Sequence, residues 1–162
     1  MAIFLNYEGI KGESSDLGHK DWMDVKNWEW GTERQVTSNT STQGDRESSN
    51  AVIRDLKISK YMDSASPKIF IESCCGTGKD VKLRLTKTGT GSGADVFMEY
   101  TLKNALISYY NVRGSEHDTH RPIEDIIISF VDIEVKYTPY DEDGNAQAAI
   151  AVAFDTATNT KR

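Results

Sequence analysis

Apolar residues recur at every second position through most of this chain, the repeat of a strand with one buried face. Ile3, Leu5 and Tyr7 share one side of a first strand. Met23 and Val25 oppose Trp22, Trp28 and Trp30 in the next, with Trp28 and Trp30 on a common face. Leu56, Ile58 and Met62 alternate with Asp55, Lys57 and Ser59, and Val81, Leu83 and Leu85 with Lys82, Arg84 and Thr86. Val96, Met98, Tyr100 and Leu102 alternate with Glu99, Thr101 and Lys103. Between Ile123 and Tyr137 the apolar phase moves from even positions (Ile126, Ile128, Phe130) to odd ones (Val131, Ile133, Val135, Tyr137). A bulge or bend near Phe130 is expected there, because one extra residue turns every later side chain to the other face. Ile150, Val152 and Phe154 complete seven or eight strands, so the fold is mainly β, a barrel or sandwich.

One segment breaks the two-residue period. In DSASPKIFIESCCG, Ser66 suits a helix cap, Pro67 the first helical position and Gly76 the left-handed position past the end. Ile69, Phe70, Ser73 and Cys74 recur at spacings of three and four, the inward face of a short helix over about Ser66–Cys75. Two long polar stretches remain, Thr32 to Asn50 and Arg113 to Pro122. Loops of that length in a compact domain are usually functional or disordered.

The 162 residues suit one domain, 1–162, large enough to bury a core without staples. A net charge of −6 with no basic cluster argues against nucleic acid and anionic membranes as partners. The N-terminus lacks a charged region followed by an apolar run, so no signal peptide is expected. No apolar stretch is long enough to span a bilayer, so no membrane insertion is expected either.

Candidate chemistry fails on spacing. Cys74 and Cys75 are adjacent, which supplies neither a Cys-x-x-Cys motif nor ordinary disulfide geometry. A phosphate-binding loop ending in Gly78-Lys79 would need glycine where Ser73 stands and Ser or Thr where Asp80 stands. Gly89 to Gly93 lies between strands with no helix after it, a hairpin connection. His117 and His120, with Glu116 and Asp118, lack a third fixed metal ligand apart from distant His19. Trp22, Trp28 and Trp30 leave open a carbohydrate-binding β-sandwich, although aromatic strand residues usually fill cores. No catalytic residue, cofactor or metal is expected, and the chain is read as a non-enzyme.

The ordered stretches IKGESSDLGHKDWMDVKNWEWG, YMDSASPKIF, LISYY and RPIEDIIISFVDIEVKY followed by YDEDG resemble the Hcp family (haemolysin-coregulated protein). That family is the tube protein of the bacterial type VI secretion system. The resemblance runs from Gly12 to about Gly144. Gly12-Glu13-Ser14, Trp28-x-Trp30-Gly31 and Asp63-x-Ala65-Ser66-Pro67 are its most specific marks. It implies a compact β-barrel of two sheets with one helix packed at its side. It further implies a homohexameric ring that stacks into a hollow tube, expelled by a contractile sheath behind a VgrG-type spike protein. Small effector proteins bound in the ring would be exported to the extracellular space or a target cell, in virulence or bacterial competition. Some members carry a C-terminal toxin domain; with Arg162 the last residue, none is expected here.

Under that resemblance Glu29, between two core-facing tryptophans, is a candidate for the lumen wall, where six carboxylates would favour polar or basic cargo. Thr32, Glu33, Arg34, Gln35, Gln43, Asp45, Arg46 and Glu47 in the first polar stretch, and Arg113, Glu116, His117 and Asp118 in the second, are candidates for contacts between subunits or rings. The first stretch is richer in Thr, Ser and charge than the glycine-rich version in some members.

Overall fold

The computed structural model describes residues 1–36 and 49–162. The chain runs β1 (Ala2–Tyr7), β2 (Met23–Val25), β3 (Asn27–Glu29), β4 (Thr32–Glu33), β5 (Val52–Ile53), β6 (Leu56–Tyr61), α1 (Ser66–Cys75), β7 (Lys79–Lys87), β8 (Asp95–Arg113), β9 (Ile123–Ser129), β10 (Asp132–Tyr137), β11 (Ile150–Asp155) and β12 (Thr160–Lys161).

Two antiparallel sheets share β8. Sheet A follows the order β12-β11-β10-β8-β7-β1-β2, and sheet B the order β3-β6-β9-β8. β8 serves both because it is 19 residues long and turns at Asn104, which has a φ of +51°. Asn is one of the few side chains that tolerate that region. Residues before the turn pair with β7 and β10, and Leu106 to Arg113 pair with β9. The expected mainly β fold of two sheets with a lateral helix is present, but among the described residues the strand order does not close into a barrel.

The expected break near Phe130 is where the chain changes sheet. β9 belongs to sheet B and β10 to sheet A, and Val131 between them donates its N–H to Lys103 O at the β8 turn. A similar change divides the segment around the tryptophans. β2 pairs with β1 in sheet A and β3 with β6 in sheet B, while Lys26 between them donates to Ser59 O. Three-residue strands carry too little periodicity to reveal such a division. The strand count accordingly exceeds the seven or eight expected.

Inward residues of both sheets form one core, including Leu5, Met23, Leu56, Ile58, Leu83, Leu102, Ile126 and Ile128. Each such side chain contributes about 1.5–3 kcal/mol by leaving water. The Gly-Glu-Ser stretch closes one side of it. Gly12 donates to Asp21 O and Ser14 to Trp22 O. A Cβ on Gly12 would stand 2.5 Å from Trp22 O and 2.8 Å from Met23 Cα, so only glycine admits this backbone contact.

α1 spans the residues expected, with three local corrections. Ala65, not Ser66, precedes the first turn, and Ser66 Oγ instead accepts the N–H of Asp63. Gly76 is extended (φ −67°, ψ 160°) rather than left-handed; glycine stands there because a Cβ would collide with Glu72, whose carbonyl oxygen would lie 2.5 Å away. The buried face runs through Ala65, Ser66 and Ile69, one step round from the expected one, leaving Phe70, Cys74 and Cys75 exposed. On a helix of ten residues two neighbouring stripes are nearly equivalent in sequence, and packing against β8 selects between them.

Candidate functional site

Register places the outward side chains of sheet B in transverse rows. Glu29, Lys57, Ile127 and Tyr109 form one, and Asn27, Ser59, Asp125 and Asn111 the next. The first row follows from Trp28 and Ile58 facing inward, because neighbours in a strand point to opposite faces. Glu29 is exposed, and Lys57 lies directly across from it. In the second row Ser59 Oγ donates to Asp125 Oδ1 (2.6 Å) and Arg113 Nε to Asp125 Oδ2 (3.1 Å). The Ser59 hydroxyl, with Arg113 behind it, holds the Asp125 carboxyl below the usual carboxylate range despite partial burial. Glu29, Lys57, Asp125 and Arg113 therefore leave this face balanced in charge, with Tyr109 and Ile127 as its apolar part.

The two polar segments leave sheet B at opposite ends. β3 and β6 meet at Glu29 and Lys57 toward one end, whereas Tyr61, Ile123 and the end of β8 at Arg113 mark the other. Thr32 and Glu33 sit in a separate two-stranded ladder with Val52 and Ile53. Arg54 Nη2 meets Glu33 Oε2 at 2.6 Å, and Gln35 and Ser49 exchange backbone and hydroxyl hydrogen bonds beyond it. This ladder is the stem of the first polar stretch, and Thr32, Glu33, Arg34 and Gln35 are all exposed on it. Gln43, Asp45, Arg46 and Glu47 lie outside the described residues.

At the opposite end Asp118 accepts the N–H of Ser115, forming a tight turn that presents Glu116 and His117, each with its side chain 88% exposed. Arg113 is not part of this tip but belongs to the sheet B face. His120 stacks on Tyr61 with ring centroids 5.1 Å apart, so the two histidines do not converge on a common point. Among the described residues no group of three metal-ligating side chains converges. Trp28 and Trp30 both pack on Tyr100, at 5.1 and 5.5 Å, and Arg84 covers Trp22 at 4.8 Å. The tryptophans thus form no shared open platform.

A polar hub behind the sheet B face was not read from the sequence. Lys60 and Glu124 face each other across β6 and β9, both fully buried, with Nζ 2.8 Å from Glu124 Oε2 and 2.8 Å from Asp63 Oδ1. Tyr110 donates to Glu124 Oε1, and burial first, then that bond, push its phenol up. Asp63 Oδ1 also accepts the N–H of Ala65 at the start of α1. Nearby, Arg121 joins Glu13 to Met62 O. The stretches around Glu13, Asp63 and Glu124 are thereby joined in one corner of the molecule. The missed signal was phase: Lys60 follows Leu56 and Ile58 on even positions, and Glu124 precedes Ile126 and Ile128.

Residues 4–137 match the model of the family described as type VI secretion system effector, Hcp. The chain belongs to the Hcp family. It is 30% identical over 147 residues to Protein hcp1 of Pseudomonas aeruginosa, covering 89% of this chain and 87% of that protein. A solved structure described as a type six secretion system protein superposes with a TM-score of 0.90 at 26% identity, covering 99% of both chains. Hcp1 from Salmonella typhimurium shares the fold, with a TM-score of 0.78 at 23% identity over 99% of this chain and 98% of that one. Hcp proteins are type VI secretion tube components, structural and secreted through that system, and are not an enzyme family. Among the described residues no helix is long and apolar enough to cross a membrane.

Proposed function

We propose that this Hcp-family chain is a ring-forming tube subunit, six copies closing a ring whose lumen is lined by the outward face of sheet B. The observation that carries the reading is the pair of dissimilar edges of that sheet. Among the described residues β3 is paired only with β6, and Leu106 to Arg113 of β8 only with β9. A ring needs two different, complementary contact surfaces on every subunit, and strand edges supply unpaired backbone groups for such a contact. With four antiparallel strands, copies related by rotation about an axis along the strands bring β3 of one beside β8 of the next in antiparallel order. The number six rests on the family resemblance.

Rings then stack head to tail, with the stem of β4 and β5 at one end of sheet B facing the Glu116–Asp118 turn at the other. The stack forms the hollow tube that a contractile sheath drives outward, with a VgrG-type spike at its tip and small effector proteins inside. Production without a signal peptide and release through the type VI apparatus follow from that role. The balance of Glu29 by Lys57 revises the acidic wall expected from the sequence: cargo is held by a mixed polar surface around Tyr109 and Ile127, without selection for net basic charge. Negative-stain electron microscopy of the purified chain tests the proposal. Rings with a central hole are expected, and solid particles of single-subunit size would count against it.

A further inference from the structure

Sheet A is covered unevenly on its inner face. Across β8, β10 and β11 the register sets inward side chains in rows: Leu102, Ile133 and Phe154, then Tyr100, Val135 and Val152, then Met98, Tyr137 and Ile150. The first row is closed from solvent at Leu102 and Ile133. In the second, Trp28 and Trp30 reach from the β3 side to cover Tyr100, but Val152 is 53% exposed. In the third, Tyr137 and Ile150 are 45% and 64% exposed. Because β3 is the edge of sheet B, the cover ends where that sheet ends, and the apolar face of sheet A runs on past it. Residues 37–48 cannot supply the cover, since TSNTSTQGDRES holds no apolar side chain.

The opposite edge of sheet B carries a complementary feature. α1 packs on β8. It lies on the core side of that strand, because Ile69 is buried in the core and Phe70 meets Tyr110 with ring centroids 6.4 Å apart. Tyr110 itself points inward, to the buried Glu124. Phe70 and Ile71 are nevertheless 51% and 54% exposed. Val112, two residues beyond Tyr110 and on the same face of β8, is exposed too. Grouped apolar side chains left in solvent mark interaction surfaces. Each edge of sheet B is thus flanked on its core side by apolar surface that the described residues leave open.

We propose that α1 of one subunit docks on the uncovered inner face of sheet A in the next copy, with Phe70 and Ile71 against Tyr137, Ile150 and Val152. The contact rests on the ring reading above, in which β8 of one copy pairs with β3 of the next. α1 is carried on the core side of β8, so that pairing sets it beside β3 on the side where sheet A extends beyond the tryptophans. The occupant is therefore a second copy of this chain. The contact is heterologous, one subunit giving its helix and the next its sheet. It adds apolar burial to an edge pairing whose hydrogen bonds merely replace bonds to water.

The test is a disulfide engineered between copies, Ile71→Cys with Ile150→Cys, in a chain whose native thiols are removed by Cys74→Ser and Cys75→Ser. Oxidation is expected to join chains into multiples of the single-chain mass on a non-reducing gel, while either new cysteine alone leaves single chains. Phe70→Asp and Ile150→Asp, both at exposed positions, are expected to keep the circular dichroism of the folded chain and to lose its assembly. Light scattering of the unlinked chain reads the ring separately. Rings whose chains fail to link, or that survive both aspartate variants, would overturn the docking and leave the ring reading standing. Single chains at every concentration would overturn both.

Discussion

Lys60 Nζ stands 2.8 Å from Glu124 Oε2, with both side chains closed off from solvent at directly paired positions of β6 and β9. The same ammonium reaches Asp63 Oδ1, so one buried cation joins sheet B to the start of α1. Removing one partner of a buried ion pair leaves the other charge uncompensated and costs roughly 3–5 kcal/mol. Lys60→Ala is expected to lose stability in that range by urea denaturation. Lys60→Met combined with Glu124→Leu should recover only part of it, because apolar replacement of a buried pair is often neutral but Asp63 and the Tyr110 hydroxyl each lose a partner. A single variant as stable as the parent would show that the pair is not shielded.

Gly12→Ala is expected to destabilise by about 1–3 kcal/mol, the range for overpacking a filled site, since the new methyl meets the backbone of Trp22 and Met23. Gly31→Ala is the control: nothing lies within 4 Å of its Cβ position, and little change is expected in thermal unfolding. Equal effects of the two would contradict a close backbone approach at Gly12.

The Asp125 carboxyl is held below its ordinary range, first by Ser59 and then by Arg113. A carboxyl depressed in the folded state stabilises it above the unfolded value near about 3.9, and that contribution is lost as pH falls through the folded value. Asp125→Asn should therefore be less stable than the parent near neutral pH, with the gap narrowing as the pH falls below about 4. Urea titrations across that range check it; a gap that widens in acid would reverse the sign.

Lys57→Glu places a second carboxylate directly across from Glu29, and like charges at paired positions cost roughly 0.2–1 kcal/mol. Adding Glu29→Lys restores opposite signs in swapped order and should return the melting temperature to the parent value. Failure of the double variant to recover would show that these side chains do not interact across β3 and β6.

How far the sequence disclosed this molecule depended on the length of each pattern. Strands β1, β6, β7 and β8 showed in their alternation, and α1 in its proline, its glycine and its broken period. Residues 22–30 read as one strand because the crossing at Lys26 separates two strands of three residues each. The exposure of Cys74 depended on which stripe of α1 meets β8, a tertiary choice. Glu29 was placed on the outward face by simple alternation, but Lys57 opposite it required the register of β6. Strand pairing brings together residues 28 positions apart in the chain here, and no local pattern specifies that match.

Light scattering during size-exclusion chromatography tests the ring most directly. The expected mass is six times that of the 18.1 kDa chain, maintained on dilution. A particle of one chain's mass at every concentration would contradict assembly through the two edges of sheet B.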